Sequence, residues 1–119
     1  MLNFKFENLK VWQKAIDYTE LIYKISQDFP KHEVFGLQSQ IRRAAVSVAL
    51  NIAEGSGRTT KKHFRKFLHD SLGSLRESVT ALHIALRLEY LNIGKFDAAY
   101  EIAVSISKML YRLDQSLID

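Results

Sequence analysis

The chain has no cysteine, so a disulfide framework and thiolate chemistry are both excluded, and the composition fits a reducing, cytoplasmic setting. Proline is almost absent: Pro30 is the one copy in 119 residues. Long helices tolerate little more, because an internal proline removes a hydrogen bond and clashes with the preceding turn. Glycine occurs five times, mostly at breaks in the apolar pattern. No Asn-Gly or Asp-Gly pair separates alternating runs, so no hairpin and no strand is expected. No apolar run approaches the ~18 residues of a membrane span. The opening MLNFKFENLK lacks the apolar stretch of a secretory signal. Catalytic signatures are missing as well. There is no H-E-x-x-H, no G-x-S-x-G and no G-x-x-x-x-G-K-[ST]. His32, His63, His69 and His83 are not at ligand spacing, and Glu54, Glu77 and Glu89 have no evident partner. The expectation is a protein that is not an enzyme and needs neither metal nor cofactor.

Hydrophobic residues make up 47% and charged residues 25%, which are globular values. A chain of this length suffices for one domain over 1–119, burying roughly two-thirds of its unfolded surface. Three breaks punctuate it: Phe29-Pro30-Lys31-His32, Gly55-Ser56-Gly57 and Asn92-Ile93-Gly94. They leave four apolar-periodic stretches, at about 8–28, 34–55, 60–91 and 95–117. Short connections between them predict an all-α, antiparallel up-down-up-down four-helix bundle. At ~100° per residue, the expected core faces are Trp12, Ala15, Ile16, Thr19, Ile22 and Tyr23 in the first stretch, and Leu37, Ile41, Ala44, Ala45, Val48 and Ile52 in the second. The third presents Phe64, Phe67, Leu68, Ser71, Leu75, Val79, Leu82 and Leu86. The fourth presents Phe96, Ala99, Ile102, Ala103, Ile106, Leu110, Leu113 and Leu117.

Some apolar residues fall outside these faces. Val46, Ala49, Leu50 and Ala53 lie away from the core side of the second stretch; Val11, Tyr18 and Ile25 do so in the first, and Tyr100, Val104 and Tyr111 in the fourth. Scattered surface apolars are ordinary. Alignment at helical spacing instead favours a self-association surface, with Tyr18, Val46, Leu50, Ala53, Tyr100, Val104 and Tyr111 as its interface residues.

The formal charge is +4, mildly basic. The excess collects around the start of the third stretch, where Arg58, Lys61, Lys62, Arg65 and Lys66 occur with no acid among them. A helix N-terminus carries a partial positive charge, so cations there oppose the dipole. Further along, Lys62, His69, Arg76 and His83 recur at sevens, with Arg65 and Arg87 beside them, inside ~60° of arc. Two readings stay open: a solvated face with i,i+4 pairs, and a phosphate-binding surface made of Arg58, Lys61, Lys62, Arg65, Lys66, His69, Arg76 and Arg87. No aromatic interleaves this stripe in sequence, so contact would be to phosphates of RNA or DNA with weak sequence preference.

Asn51, Glu54 and Gly55 form the most distinctive local motif. Its structural reading has Gly55 as a left-handed cap, Thr59 or Thr60 capping the next helix, and Glu54 pairing with Arg42, Arg43 or Arg58. Its functional reading has Asn51, Glu54 and Arg58 as a polar site. Around this motif the order Leu9-Lys10-Val11-Trp12-Gln13-Lys14-Ala15, Phe29-Pro30 with Glu33, Phe35-Gly36-Leu37, Gln40-Ile41-Arg42-Arg43-Ala44-Ala45-Val46-Ser47, Asn51-Ile52-Ala53-Glu54-Gly55, Phe67-Leu68 and Gly73-Ser74-Leu75-Arg76-Glu77 resembles the four-helix bundle family also called the 23S rRNA intervening-sequence proteins. The likeness runs from Leu9 to about Leu91; the last stretch matches only in pattern. It implies a bacterial, cytoplasmic, non-enzymatic bundle that forms a ring-like homopentamer with a basic surface. Members occur in reading frames inserted within rRNA genes. A related branch, the accessory proteins of diversity-generating retroelements, binds a reverse transcriptase and nucleic acid. The partners so implied are further copies of the chain, RNA or DNA, and a reverse transcriptase or another protein, with no membrane. An acidic protein as partner of the basic stripe is the alternative.

Overall fold

A computed structural model describes residues 3–119. It contains four helices: α1 (Lys10–Ser26), α2 (Leu37–Ser56), α3 (Lys61–Arg87) and α4 (Ile93–Ser116). Short 3-10 turns at Lys5–Asn8 and Lys31–Glu33 precede α1 and α2, and no strand occurs among the described residues. Each helix packs on two others, α2 and α4 flanking both α1 and α3, while the diagonal pairs do not meet backbone to backbone. The bundle measures 45 × 24 × 23 Å.

Cross-helix hydrogen bonds give the direction of each pair. Thr19 Oγ1 donates to the Ala45 carbonyl at 3.2 Å and Gln38 Nε2 to that of Ser26 at 2.8 Å, so α1 and α2 are antiparallel. Ser71 Oγ donates to the Val48 carbonyl at 2.8 Å, and the Ser47 and Ser74 hydroxyls are 2.8 Å apart, so α2 and α3 are antiparallel. Arg65 reaches Asp114 at 2.9 Å while His83 packs on Phe96, which sets α3 against α4 in the same sense.

Caps explain most boundaries. Thr60 Oγ1 accepts the His63 N–H at 3.2 Å and Asn92 Oδ1 accepts that of Lys95 at 2.8 Å. At the start of α2, Glu33 Oε1 accepts the Leu37 N–H at 3.0 Å; that bond, more than the Tyr90 hydroxyl, holds the Glu33 carboxyl below its ordinary range. α3 stops at Arg87, short of the expected 91, because Glu89 takes a left-handed φ of 63°. Tyr90 N–H then bonds the Ala85 carbonyl at 2.8 Å and Glu89 N–H that of Leu86 at 3.0 Å, a Schellman closure built on a residue with no glycine signal.

The left-handed cap expected at Gly55 is absent. No glycine has a positive φ, and α2 runs on through Gly55 to Ser56. Gly55 serves close approach instead. A Cβ built there would lie 2.7 Å from Phe67 Cβ and 2.9 Å from Phe64 Cδ1, both on α3.

One core face is displaced from expectation. α1 buries Val11, Ala15, Tyr18, Ile22 and Ile25, while Ile16 and Tyr23 are exposed. The expected α1 stripe was centred about a quarter-turn off, so Tyr18 is a core residue and no interface residue. Its ring is fully buried, and its hydroxyl lies 2.7 Å from Ser78 Oγ on diagonal α3. Since Ser78 donates its proton to the Leu75 carbonyl at 2.7 Å, Tyr18 is the donor in that pair. Burial pushes the Tyr18 pKa up to about 12. Ala49, expected outside, is also buried. The remaining faces agree closely: Phe64, Leu68, Ser71, Leu75 and Leu82 of α3 and Phe96, Ala99, Ala103, Ile106 and Leu110 of α4 are all buried.

Candidate nucleic-acid interface

The first turns of α3 present Lys61, Lys62, His63 and Lys66 to solvent, with Arg58 in the preceding link. Several of these cations already have acidic partners. Arg58 pairs with Glu54, one turn back on α2; Lys61 reaches Asp119 at 3.0 Å and Lys66 reaches Asp70 at 3.2 Å. All three pairs are solvent-exposed, a setting in which an ion pair contributes only about 0–1 kcal/mol and yields readily to another anion. Lys62 has no carboxylate within salt-bridge distance among the described residues. Phe67 lies beneath Arg58 and Lys66, whose charges sit 4.8 and 5.0 Å from its centroid. An aromatic therefore does underlie the cluster, contrary to the linear pattern, but as its half-buried floor and already covered by cations.

Arg65 and His69 behave differently. Both turn toward α4, where the Asp114 carboxylate accepts from Arg65 Nε at 2.9 Å and lies 3.1 Å from His69 Nε2. Asp114 is only 8% exposed. The Arg65 hydrogen bond, stronger than the opposing burial and helped by His69, holds its carboxyl below the ordinary range, and the same bond raises Arg65. These two residues clamp α3 to α4 more than they face a ligand. Nothing in the sequence pattern singles out Asp114 as their partner. Its signal is an acid one turn beyond Leu110, on the core face of α4.

Arg76 and Arg87 are exposed and unpaired among the described residues, but they do not continue the cluster. Arg87 lies ~38 Å of helix beyond Lys62. Arg76 sits at the rim of a groove between α3 and α4. That groove, about 740 Å³, has Leu72, Leu75, Val79, Ala103 and Val104 in its walls and Arg76, His83, Tyr100 and Tyr111 at its edges. A second apolar surface covers α1, α2 and their link, through Tyr23, Val34, Phe35, Val46 and Leu50. Phe35 is 98% exposed and Leu50 63%. Of the expected interface residues, Leu50, Tyr100 and Tyr111 are exposed and Val46, Ala53 and Val104 half-buried. Phe35 is not among the expected ones; the second stretch is expected from 34, whereas α2 starts at Leu37 and leaves Phe35 in the link.

Asn51 and Glu54 have local work. Asn51 Nδ2 donates to the Ser47 carbonyl at 2.9 Å and to Ser47 Oγ at 3.0 Å, bracing the hydroxyl that meets Ser74. Glu54 holds Arg58. Among the described residues, no group of three or more His, Asp or Glu is placed to hold a metal, and no helix is long and apolar enough to cross a membrane.

The molecule is thus an all-helical four-helix bundle with a basic end and two apolar surfaces. The model of the family described as 23S rRNA-intervening sequence protein matches residues 7–112, and the chain belongs to that family. The solved structure of a protein with unknown function from the S23 ribosomal protein family of Bacteroides thetaiotaomicron VPI-5482 superposes with a TM-score of 0.79. It is 22% identical, over 87% of this chain and 97% of that one, a likeness that bears on the fold alone. No curated protein matches.

Proposed function

We propose that this protein is a non-enzymatic, self-associating helical scaffold that binds nucleic acid through phosphates. The observation that carries the reading is the crowd of exposed cations, Arg58, Lys61, Lys62 and Lys66, at the N-terminus of α3. Helix stability argues for acids there, and the pairs these cations make among the described residues are exposed, weak ones. Phosphate is an anion that both the side chains and the dipole of that helix end attract. The family's name, with its reference to 23S rRNA, fits a nucleic-acid context. Self-association repeats the cluster on every subunit, five times over in the pentamer that the family resemblance implies, so weak contacts sum by avidity.

The test uses unrelated single strands and duplexes of both RNA and DNA, ~30 nucleotides long, titrated at several salt concentrations. Binding with little sequence preference is expected at ~50 mM salt, weakening by orders of magnitude toward ~200 mM through counterion release. Changing Lys61, Lys62 and Lys66 together to Glu should abolish it while leaving the fold intact. Arg65 is left out of that set because its loss would strand Asp114. Absence of binding at ~50 mM salt, or full affinity in the triple variant, would overturn the reading. A second reading has a specific observation in its favour: five of the eight predicted contact residues, Arg58, Lys61, Arg65, Lys66 and His69, are already paired with carboxylates. A surface that accepts carboxylates so readily also suits an acidic protein partner, and that partner replaces nucleic acid if the titration fails. A reverse transcriptase would bring both an RNA or DNA ligand and a protein surface.

A further inference from the structure

The basic end of α3 holds an open recess of about 380 Å³, lined by Lys62, His63, Arg65, Lys66, His69 and Asp70. Two of these residues are imidazoles. His69 is anchored at one edge only: Nε2 lies 3.1 Å from Asp114 Oδ1, while the side chain is 62% exposed. Asp114 is held below the ordinary carboxyl range, so near neutral pH it has no proton to give. Nε2 therefore carries the hydrogen of that bond, and in the neutral ring the lone pair is on Nδ1. Nδ1 has no hydrogen-bond partner among the described residues. A proton taken up there turns an acceptor into a donor and leaves the Asp114 bond in place. His63 is exposed, and its ring has no hydrogen-bond partner among the described residues. We infer that phosphate binding in this recess is coupled to proton uptake by His63 and His69, so that nucleic acid is held more tightly as pH falls from about 8 to about 6. This rests on the nucleic-acid reading proposed above and assigns the regulation of the same site.

The surrounding charges make those two protons count. With neutral imidazoles, Lys62, Arg65 and Lys66 are set against Asp70 and Asp114, an excess of one positive charge. With both rings protonated the excess is three. From α4, Asp114 is the carboxylate that meets His69, and Gln115 adds an amide to it at 3.5 Å. Arg112 turns to another side of α4, with Leu9, Lys10 and Val11 of the α1 end. From the α2 side Arg58 is paired with Glu54, and Lys61 is paired with Asp119 beyond α4; both pairs are neutral in sum while carboxylates are ionised. Histidine is the side chain whose charge ordinarily changes in this window, whereas phosphodiesters keep theirs throughout it. The other two histidines stand elsewhere. His32 lies beside Glu33 and Tyr90, and His83 packs on Phe96 and Tyr100. Linkage makes the effect reciprocal: bound phosphate must favour the protonated rings as much as protons favour binding.

The test is fluorescence anisotropy with a labelled single strand of ~30 nucleotides, at ~100 mM salt and at about pH 8, 7 and 6. Wild type should bind about 10-fold or more tightly at the lowest pH than at the highest, because two further cations then meet phosphate. The slope of log affinity against log salt should steepen by about 1 over the same range. Changing His63→Gln and His69→Gln together should keep the affinity at the highest pH and lose the increase; thermal melting at both ends of the range checks that the Asp114 clamp survives. His63→Gln alone removes no contact seen among the described residues and should already lose part of the increase. His32→Gln with His83→Gln should keep all of it. A direct readout is the NMR titration of the ring protons: adding the strand should move the His63 and His69 midpoints to higher pH and leave those of His32 and His83 in place. Equal affinity across the range, an increase that survives the His63 and His69 changes, or one lost with His32 and His83 overturns the coupling and leaves phosphate binding standing. Absence of binding at every pH overturns both.

Discussion

The α2/α3 seam and the α3/α4 seam share a helix and are closed by opposite means. Between α2 and α3 small groups meet: Ser47 faces Ser74, the Val48 carbonyl faces Ser71, and Gly55 makes room for Phe64 and Phe67. Backbones approach closely there, and serine hydroxyls bridge the two helices. Between α3 and α4 the rings of Phe96 and Tyr100 stack on each other and against His83. They hold the helices apart, and the groove is what remains. One polar clamp, Arg65–Asp114, ties the far end of that seam. Close packing makes a seam rigid and featureless; wide packing leaves a recess that something else can fill.

The sharpest way to break the comparison is to widen the closed seam. Gly55→Val places a Cβ where Phe67 Cβ would be 2.7 Å away, and both groups are on helix backbones that must separate. The loss of stability should be about 3 kcal/mol, the upper part of the range for overpacked cores, read by denaturant unfolding with circular dichroism. A shift under about 1 kcal/mol, the size of a helix-propensity change, would mean that the two helices separate easily and the seam is loose.

The next largest effect concerns the clamp of the open seam. Asp114→Asn removes the charge that satisfies Arg65 and should lower stability at neutral pH by about 2 kcal/mol. The pH dependence carries the sign. Asp114 has a lowered pKa in the folded state, so it binds protons more readily unfolded. Its contribution is complete above the unfolded value near pH 4 and is lost as pH falls through the lower folded value. Stability of wild type should therefore drop below about pH 4 more steeply than that of Asp114→Asn, and the two curves should converge in acid. Parallel curves would show that the Asp114 charge does not hold the seam.

The same contrast separates what the linear pattern of residues reveals from what only packing decides. Four helices follow from periodicity and three breaks, and the α3 and α4 faces follow from long regular runs such as Phe64, Leu68, Leu75 and Leu82. α1 misleads because it is apolar most of the way round: Ile16 and Tyr23 compete with Val11, Tyr18 and Ile25 for the core, and periodicity alone does not rank two adjacent stripes. The Tyr18–Ser78 bond that decides the matter joins residues 60 apart. Glycine chemistry misleads in the other direction. Gly55 has the look of a cap because glycine is common there, whereas its use lies in the shape of a facing helix. The basic stripe is legible as charge, but its division into exposed pairs and a buried clamp depends on Asp114 arriving from α4, a tertiary fact. Phe35 falls inside the expected second stretch, and its place in the link depends on where α2 starts, at Leu37, whose N–H the Glu33 carboxylate accepts.

The smallest effect is a matched pair of serines, one on each seam. Ser74 and Ser107 are both half-buried and both on helices. Ser74 Oγ meets Ser47 across the closed seam at 2.8 Å, whereas Ser107, in the groove, donates to the Val104 carbonyl of its own helix at 2.8 Å. Serine to alanine gains a few tenths of a kcal/mol of helix propensity at either site. At Ser74 the change also removes an interhelical hydrogen bond worth about 1 kcal/mol, so the net effect should be mildly destabilising. At Ser107 it removes only a bond to the preceding turn, one that competes with the helix, so the net effect should be zero or slightly stabilising. Measured by denaturant unfolding under one set of conditions, the two variants should differ by about 1 kcal/mol with Ser74→Ala the weaker. Equal effects would mean that the hydroxyl pair does not help close the α2/α3 seam, leaving its small side chains alone to do so.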